Sequence, residues 1–162
     1  MREPLFIRFL NSQVDERTLL ETFIDSSKDD TTREIIRDRK ETPDLSVFKK
    51  DFANAVKDLT EDGINSYFVN YVNSYMKPSL EEFLEEVSHQ GTGMEKRWVK
   101  ILDKDAPWLE ALICYNMCLY VKAFSSSTIK SCKQCQKFFT HKGKYASYCS
   151  EICKNSKASQ PV

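Results

Sequence analysis

The sequence predicts a mainly α-helical protein in two parts. A helical bundle spans residues 1–124, and a small metal-stapled module of a short β-hairpin plus a helix spans 125–162. Three observations predict this. Apolar residues recur at three-to-four spacing through most of the first part, the mark of amphipathic helices. Ser125-Ser126-Ser127-Thr128 is a polar joint and sets the domain boundary. Beyond it stand Cys132, Cys135, Cys149 and Cys153, spaced C-x2-C, thirteen residues, then C-x3-C.

In chain order, Leu5-Phe6-Ile7-Arg8-Phe9-Leu10 reads either as a buried strand or as the start of a helix. From Asp15, an N-cap candidate, Leu19, Leu20, Phe23 and Ile24 follow helical spacing. Residues 25–32 are polar and read as a loop, 32–39 as a weaker helix, and Thr42-Pro43-Asp44 as a boundary. Leu45, Phe48, Phe52, Val56 and Leu59 form an apolar stripe in a helix that Gly63 ends. Phe68, Tyr71, Val72 and Tyr75 mark the next helix, stopped at Pro78. Ser79 then reads as the N-cap of a helix over 80–87, with Glu81 and Glu82 in its first turn and Glu85 and Glu86 completing a solvated face. Gly91-Thr92-Gly93 breaks the chain before a short helix over 94–102 that carries Trp98 and Leu102. Asp105-Ala106-Pro107 reads as an N-cap followed by a first-turn proline. The helix it opens, to about Phe124, is the most apolar in the chain, with Trp108, Leu109, Leu112, Ile113, Met117, Leu119, Tyr120, Ala123 and Phe124, and is expected to be the buried centre of the bundle.

Composition bounds the function classes. With 41% hydrophobic and 30% charged residues the chain is globular rather than disordered. No apolar run reaches the roughly 18 residues of a membrane span. Met1-Arg2-Glu3-Pro4 leads into an apolar stretch broken by Arg8, with no signal-peptide cleavage pattern, so a cytoplasmic location is expected. In that reducing setting the two-plus-two cysteine pattern favours metal over disulfides. Net charge is zero, but residues 125–162 hold seven lysines (Lys130, Lys133, Lys137, Lys142, Lys144, Lys154, Lys157) against Glu151, a net of +6 on a body of −6. Such a basic module suits nucleic-acid binding, or is simply a solvated lysine-rich tail.

Four thiolates grouped two and two satisfy tetrahedral Zn²⁺, and a segment of about thirty residues with little core needs such a staple. Phe138 and Phe139 are expected to pair across the His141-Lys142-Gly143-Lys144 turn with Tyr145 and Tyr148 as a hairpin over the metal. The second cysteine pair opens a short helix whose N-terminal amides favour thiolates.

Cys132-x-x-Cys135-x-x-Phe138-Phe139, followed by Tyr148-Cys149-Ser150-x-x-Cys153-Lys154, resembles the treble-clef zinc fingers at the C-termini of many bacterial regulators, the CGNR-type finger in particular. The likeness covers about 132–157. That family places a helical domain, sometimes called ABATE, before the finger. Phe9-Leu10-Asn11-Ser12 with the Leu-Leu helix after it is loosely similar to that domain's opening. The Cys-Gly-Asn-Arg signature itself is replaced by Cys153-Lys154-Asn155-Ser156, and the Arg-rich extension is reduced to Lys154 and Lys157. The resemblance implies a zinc-binding transcription regulator that contacts DNA rather than RNA.

The remaining chemistry is sparse. His141 is a ligand, a base contact or an exposed turn residue, and four cysteines already fill the zinc shell. His89 suits a helix cap. Cys114 and Cys118 share a face of the apolar helix and read as buried structural thiols. The stripe Tyr67, Phe68, Tyr71, Tyr75 reads as core. No phosphate-binding glycine loop, zinc-protease motif or nucleophile elbow is present, so no enzyme is expected. Three functions are weighed: a nucleic-acid-binding regulator whose body senses or homodimerises; a protein-interaction module with a structural zinc; and an enzyme with a pocket in the helical body.

Overall fold

The computed structural model describes residues 3–26, 29–38, 44–87, 94–143 and 146–158. The described elements run α1 (Leu5–Leu10), α2 (Glu16–Ser26), α3 (Asp30–Arg37), α4 (Ser46–Asp62), α5 (Ser66–Ser79), β1 (Leu80–Val87), β2 (Met94–Ile101) and α6 (Trp108–Phe124). A 3-10 turn (Ser126–Thr128) then leads to β3 (Ile129–Ser131), β4 (Phe138–Thr140) and α7 (Glu151–Ala158). The protein is mainly helical, with two small antiparallel strand pairs, β1 with β2 and β3 with β4. No described helix is long and apolar enough to cross a membrane.

Local chemistry explains most boundaries. The ambiguous opening stretch is helix α1. Asp15 Oδ1 accepts from Thr18 N–H at 2.7 Å, the N-cap bond expected for α2. Asp29 caps α3 the same way through Thr32 N–H at 2.9 Å. Gly63 ends α4 with φ of 72°, a left-handed value that costs glycine nothing. Asn65 caps α5 through Phe68 N–H. Pro78 does not stop α5, which continues to Ser79, because a proline in the last turn forfeits a single amide bond. The cap of α6 also differs from expectation: it starts after Pro107 with no side-chain bond, and Asp105 N–H instead donates to Asp103 Oδ1.

The largest departure is the pair of helices expected over 80–87 and 94–102. Both segments are strands, paired from Leu80 opposite Ile101 to Val87 opposite Met94. The glutamate doublets suggest a solvated helix face, but in this register Glu81 faces Lys100 and Glu85 faces Lys96. The first pair closes an ion pair at 3.1 Å. That cross-strand ion pair at the hairpin base favours the sheet. The hairpin base is tied to the body. Buried Thr32 accepts Ile101 N–H at 3.0 Å while its hydroxyl donates to Asp29, and Leu102 N–H donates to Ser79 O. The Thr42-Pro43 boundary, His89 and the Gly91-Thr92-Gly93 break lie outside the described residues.

The core brings α1, α2, α4, α5 and α6 together around Phe6, Ile7, Leu19, Phe52, Leu59, Leu109, Ile113 and Met117. Helix α6 is buried for most of its length, as its composition demands. Its last turns are not: Leu119 is 40% and Phe124 47% exposed, and Ala123 is exposed too. The α5 aromatics divide likewise, with Phe68 buried and Tyr67 exposed.

Ile129 of β3 is 1% exposed and belongs to this same core. The β3–β4 hairpin therefore packs on the helices, and it is the platform of the site.

Candidate metal centre

Strand β3 delivers Cys132 straight into a tight knuckle. Cys132 N–H donates to Lys137 O at 2.8 Å, and Gln136 N–H returns to Cys132 O at 3.0 Å. The turn is completed by Gln136 at φ of 66°. Lys133 N–H donates to Ser147 O at 2.9 Å and so draws the returning segment against the knuckle. Ser150 Oγ accepts from Cys153 N–H at 3.3 Å, an N-cap bond that starts α7. Cys149 thus sits just before the cap and Cys153 in the first turn, where unpaired amides and the helix dipole favour negative sulfur.

These turns bring all four Sγ atoms within 4.8 Å of one another. Cys135 and Cys149 are 3.5 Å apart, and Cys149 and Cys153 are 3.6 Å apart. Sulfurs about 2.3 Å from a central tetrahedral ion lie about 3.8 Å from each other. A disulfide requires about 2.05 Å, and all four are free thiols. The donor set therefore fits one tetrahedral metal ion, and the four cysteines form a site able to hold it.

Electrostatics agree with that use. Burial pushes the Cys132 thiol up, but backbone amides of Cys135, Cys149 and Gln134 outweigh it and bring the group down to about 6. Burial, together with the neighbouring thiols of Cys135, Cys153 and Cys132, pushes Cys149 up to about 12. A bound cation would favour the thiolate form of its ligands.

Cys132 is buried and Cys135 exposed, so the centre lies at the edge of the core with one side open. What fixes it there is a clamp that sequence reasoning missed. Asn11, the C-cap of α1, donates through Nδ2 to Phe138 O at 2.7 Å and accepts Phe138 N–H at 3.0 Å. Both backbone groups of the first β4 residue are satisfied by one amide. Thr140 Oγ1 donates to Glu3 at 3.0 Å, and the Tyr120 hydroxyl bonds Thr128 Oγ1 at 2.7 Å. These contacts span 8 to 137 positions of sequence, and nothing local to Asn11 announces one.

The hairpin expected across the glycine turn is not formed; a different one stands in its place. Strand β4 pairs with β3, Lys130 opposite Phe139, rather than with the segment around Tyr148, which is not a strand. The knuckle itself is the hairpin loop, so a metal ion held by the four cysteines would staple the two strands at their turn. Tyr145 and Lys144 lie outside the described residues.

No protein-family model matches the chain, and no curated protein matches it.

Among the predicted lysines, Lys133, Lys137, Lys142 and Lys154 are exposed and Lys130 is half-buried on β3. Lys157 lies on α7. His141 is not among the clustered donors. Its Nδ1 accepts from Gly143 N–H at 2.7 Å and fastens the turn. A Cβ on Gly143 would meet His141 Cε1 at 2.6 Å, which is why glycine stands there. Cys114 is fully buried and Cys118 half-buried. Burial raises both thiols, Cys118 to about 11, so neither is reactive at neutral pH.

Proposed function

We propose that the chain is a zinc-binding regulatory protein, a transcription regulator whose basic C-terminal finger contacts DNA. The observation that carries this reading is the convergence of Cys132, Cys135, Cys149 and Cys153 on one tetrahedral site, with exposed lysines on the turns around it. Four thiolates with no redox partner suit zinc best among the divalent metals, and they leave no open position for catalysis. Zinc bound by four thiolates contributes about −2, which leaves the module positive. Similarity to the CGNR-type fingers and their helical ABATE domains points the same way. In this reading the helical body senses or homodimerises in the cytoplasm, and the protein is not an enzyme.

Lysine contacts to phosphate give affinity with little sequence preference. Four exposed lysines, Lys133, Lys137, Lys142 and Lys154, acting on phosphates imply a fall in DNA affinity of about a hundredfold between 50 and 200 mM salt. Titration of zinc-loaded protein with labelled DNA over that range tests the reading. Salt-independent binding, or none at low salt, overturns it.

One observation favours a protein partner instead. Ile152, in the first turn of α7 beside Cys153, is 78% exposed. In that reading the zinc is structural and α7 presents an apolar contact. Binding to such a partner would tolerate salt and be lost in Ile152→Asp.

A further inference from the structure

A groove of about 560 Å³ runs along the seam between the helical body and the metal hairpin. It is of the size that holds a small organic group. Phe124, the last residue of α6, is 47% exposed on its wall. That ring is not loose. Its centroid lies 5.0 Å from Tyr120, whose own ring lies 5.6 Å from buried Phe6 and whose hydroxyl is held by Thr128. Two charged groups share the groove, Lys142 from the finger and Glu3 from the chain's start. Glu3 Oε2 accepts from Thr140 Oγ1, which leaves a carboxylate with acceptor capacity to spare.

We infer that this groove receives one unstacked base of a single-stranded nucleic acid, stacked on Phe124, with its exocyclic amino group on Glu3 and a flanking phosphate on Lys142. The inference rests on the nucleic-acid reading and deepens it. A nucleotide brings a π face, an amino donor and an anion within one unit, which is the set of partners the groove offers. An acidic peptide would satisfy Lys142 but set like charge against Glu3. Cytosine, adenine and guanine carry the exocyclic amino donor, whereas thymine offers a carboxylate only its ring N3–H, flanked on both sides by carbonyl oxygens that repel it.

The test uses the full chain loaded with zinc and labelled homopolymers of about a dozen nucleotides at one low salt concentration, with a duplex as control. Oligo(dC) and oligo(dA) are expected to bind about fivefold tighter than oligo(dT). Phe124→Ala is expected to weaken single-strand binding about tenfold, with duplex affinity and zinc content unchanged and the thermal midpoint lowered by only a few degrees through loss of the Tyr120 ring contact. The ring is half exposed, so its loss leaves no core cavity. Glu3→Gln keeps an acceptor for Thr140 but adds a donor, and is expected to erase the preference for oligo(dC) over oligo(dT). Equal affinity for the three homopolymers, or a Phe124→Ala protein that binds single strands like its parent, overturns the groove. If duplex binding persists in that case, the regulator reading stands without it. A parent protein that binds neither form at low salt removes both.

Discussion

Asn11→Ala is the substitution that most directly probes how the metal hairpin is held. The side chain makes two hydrogen bonds to Phe138, at 2.7 and 3.0 Å, both part-buried. Alanine removes both and strands a backbone N–H and a backbone C=O at the seam. Each bond contributes about 1 kcal/mol net, and each group left without a partner adds a share of its desolvation cost. Partial water access limits that share, so the expected loss is about 2–3 kcal/mol. For a chain of this length that lowers the thermal midpoint by about 4–10 °C. The assay is unfolding of the metal-loaded protein in urea, followed by circular dichroism. Repeating it after chelation adds a second arm. Without its staple the hairpin opens, Asn11 has nothing to hold, and the cost of the substitution shrinks. A loss below about 0.5 kcal/mol in the metal-loaded protein would show that packing of Ile129 alone seats the hairpin, and the clamp would have no energetic role.

Two further outcomes follow from local geometry. Gly143→Ala forces the His141 ring off the Gly143 amide, because the new Cβ would lie 2.6 Å from Cε1. The expected cost is about 1 kcal/mol, matched by His141→Ala and not additive with it in a double-mutant cycle. The buried thiols predict alkaline sensitivity. Burial raises Cys118 from about 9 to about 11, so the thiol stays protonated in the fold while the unfolded chain ionises. Stability is therefore retained below pH 9 and declines by up to about 2 kcal/mol as pH rises through 11. Urea unfolding at stepped pH measures it, and Cys118→Ala should reduce the decline while leaving the share of buried Cys114, whose thiol is raised as well. Flat stability in the parent across that window would contradict the burial of this group.

The clustering cysteines and most helices were legible because their signals are local. Two cysteine pairs at two- and three-residue spacing, set thirteen residues apart in a segment with little core, are a local metal-ligand signature, and a three-to-four apolar stripe such as Leu45 to Leu59 has one way to be buried. Capping residues Asp15 and Gly63 act on amides within a few positions, and they act in the structure as they read in the sequence. What failed depended on distant partners. The glutamates from Glu81 to Glu86 have helical spacing, and the strand depends on pairing with the segment from Met94 to Ile101, which no local signal announces. Phe139 has an aromatic neighbour on the far side of a glycine turn, yet β4 pairs backwards with β3, since the knuckle closes that hairpin first. The apolar length of α6 gave no sign that its end would stay exposed, because that depends on where the hairpin docks. The site itself was found from sequence, but Asn11, Glu3 and Tyr120, which seat it, were not.

Metal content decides the central claim. Untagged protein, purified under reducing conditions without chelator, should carry one zinc per chain by elemental analysis. Cys149→Ser should lose that zinc and leave the helical body folded. Protein that holds no metal, and whose four clustered cysteines all react as free thiols while the hairpin stays formed, would contradict the assignment of a metal centre.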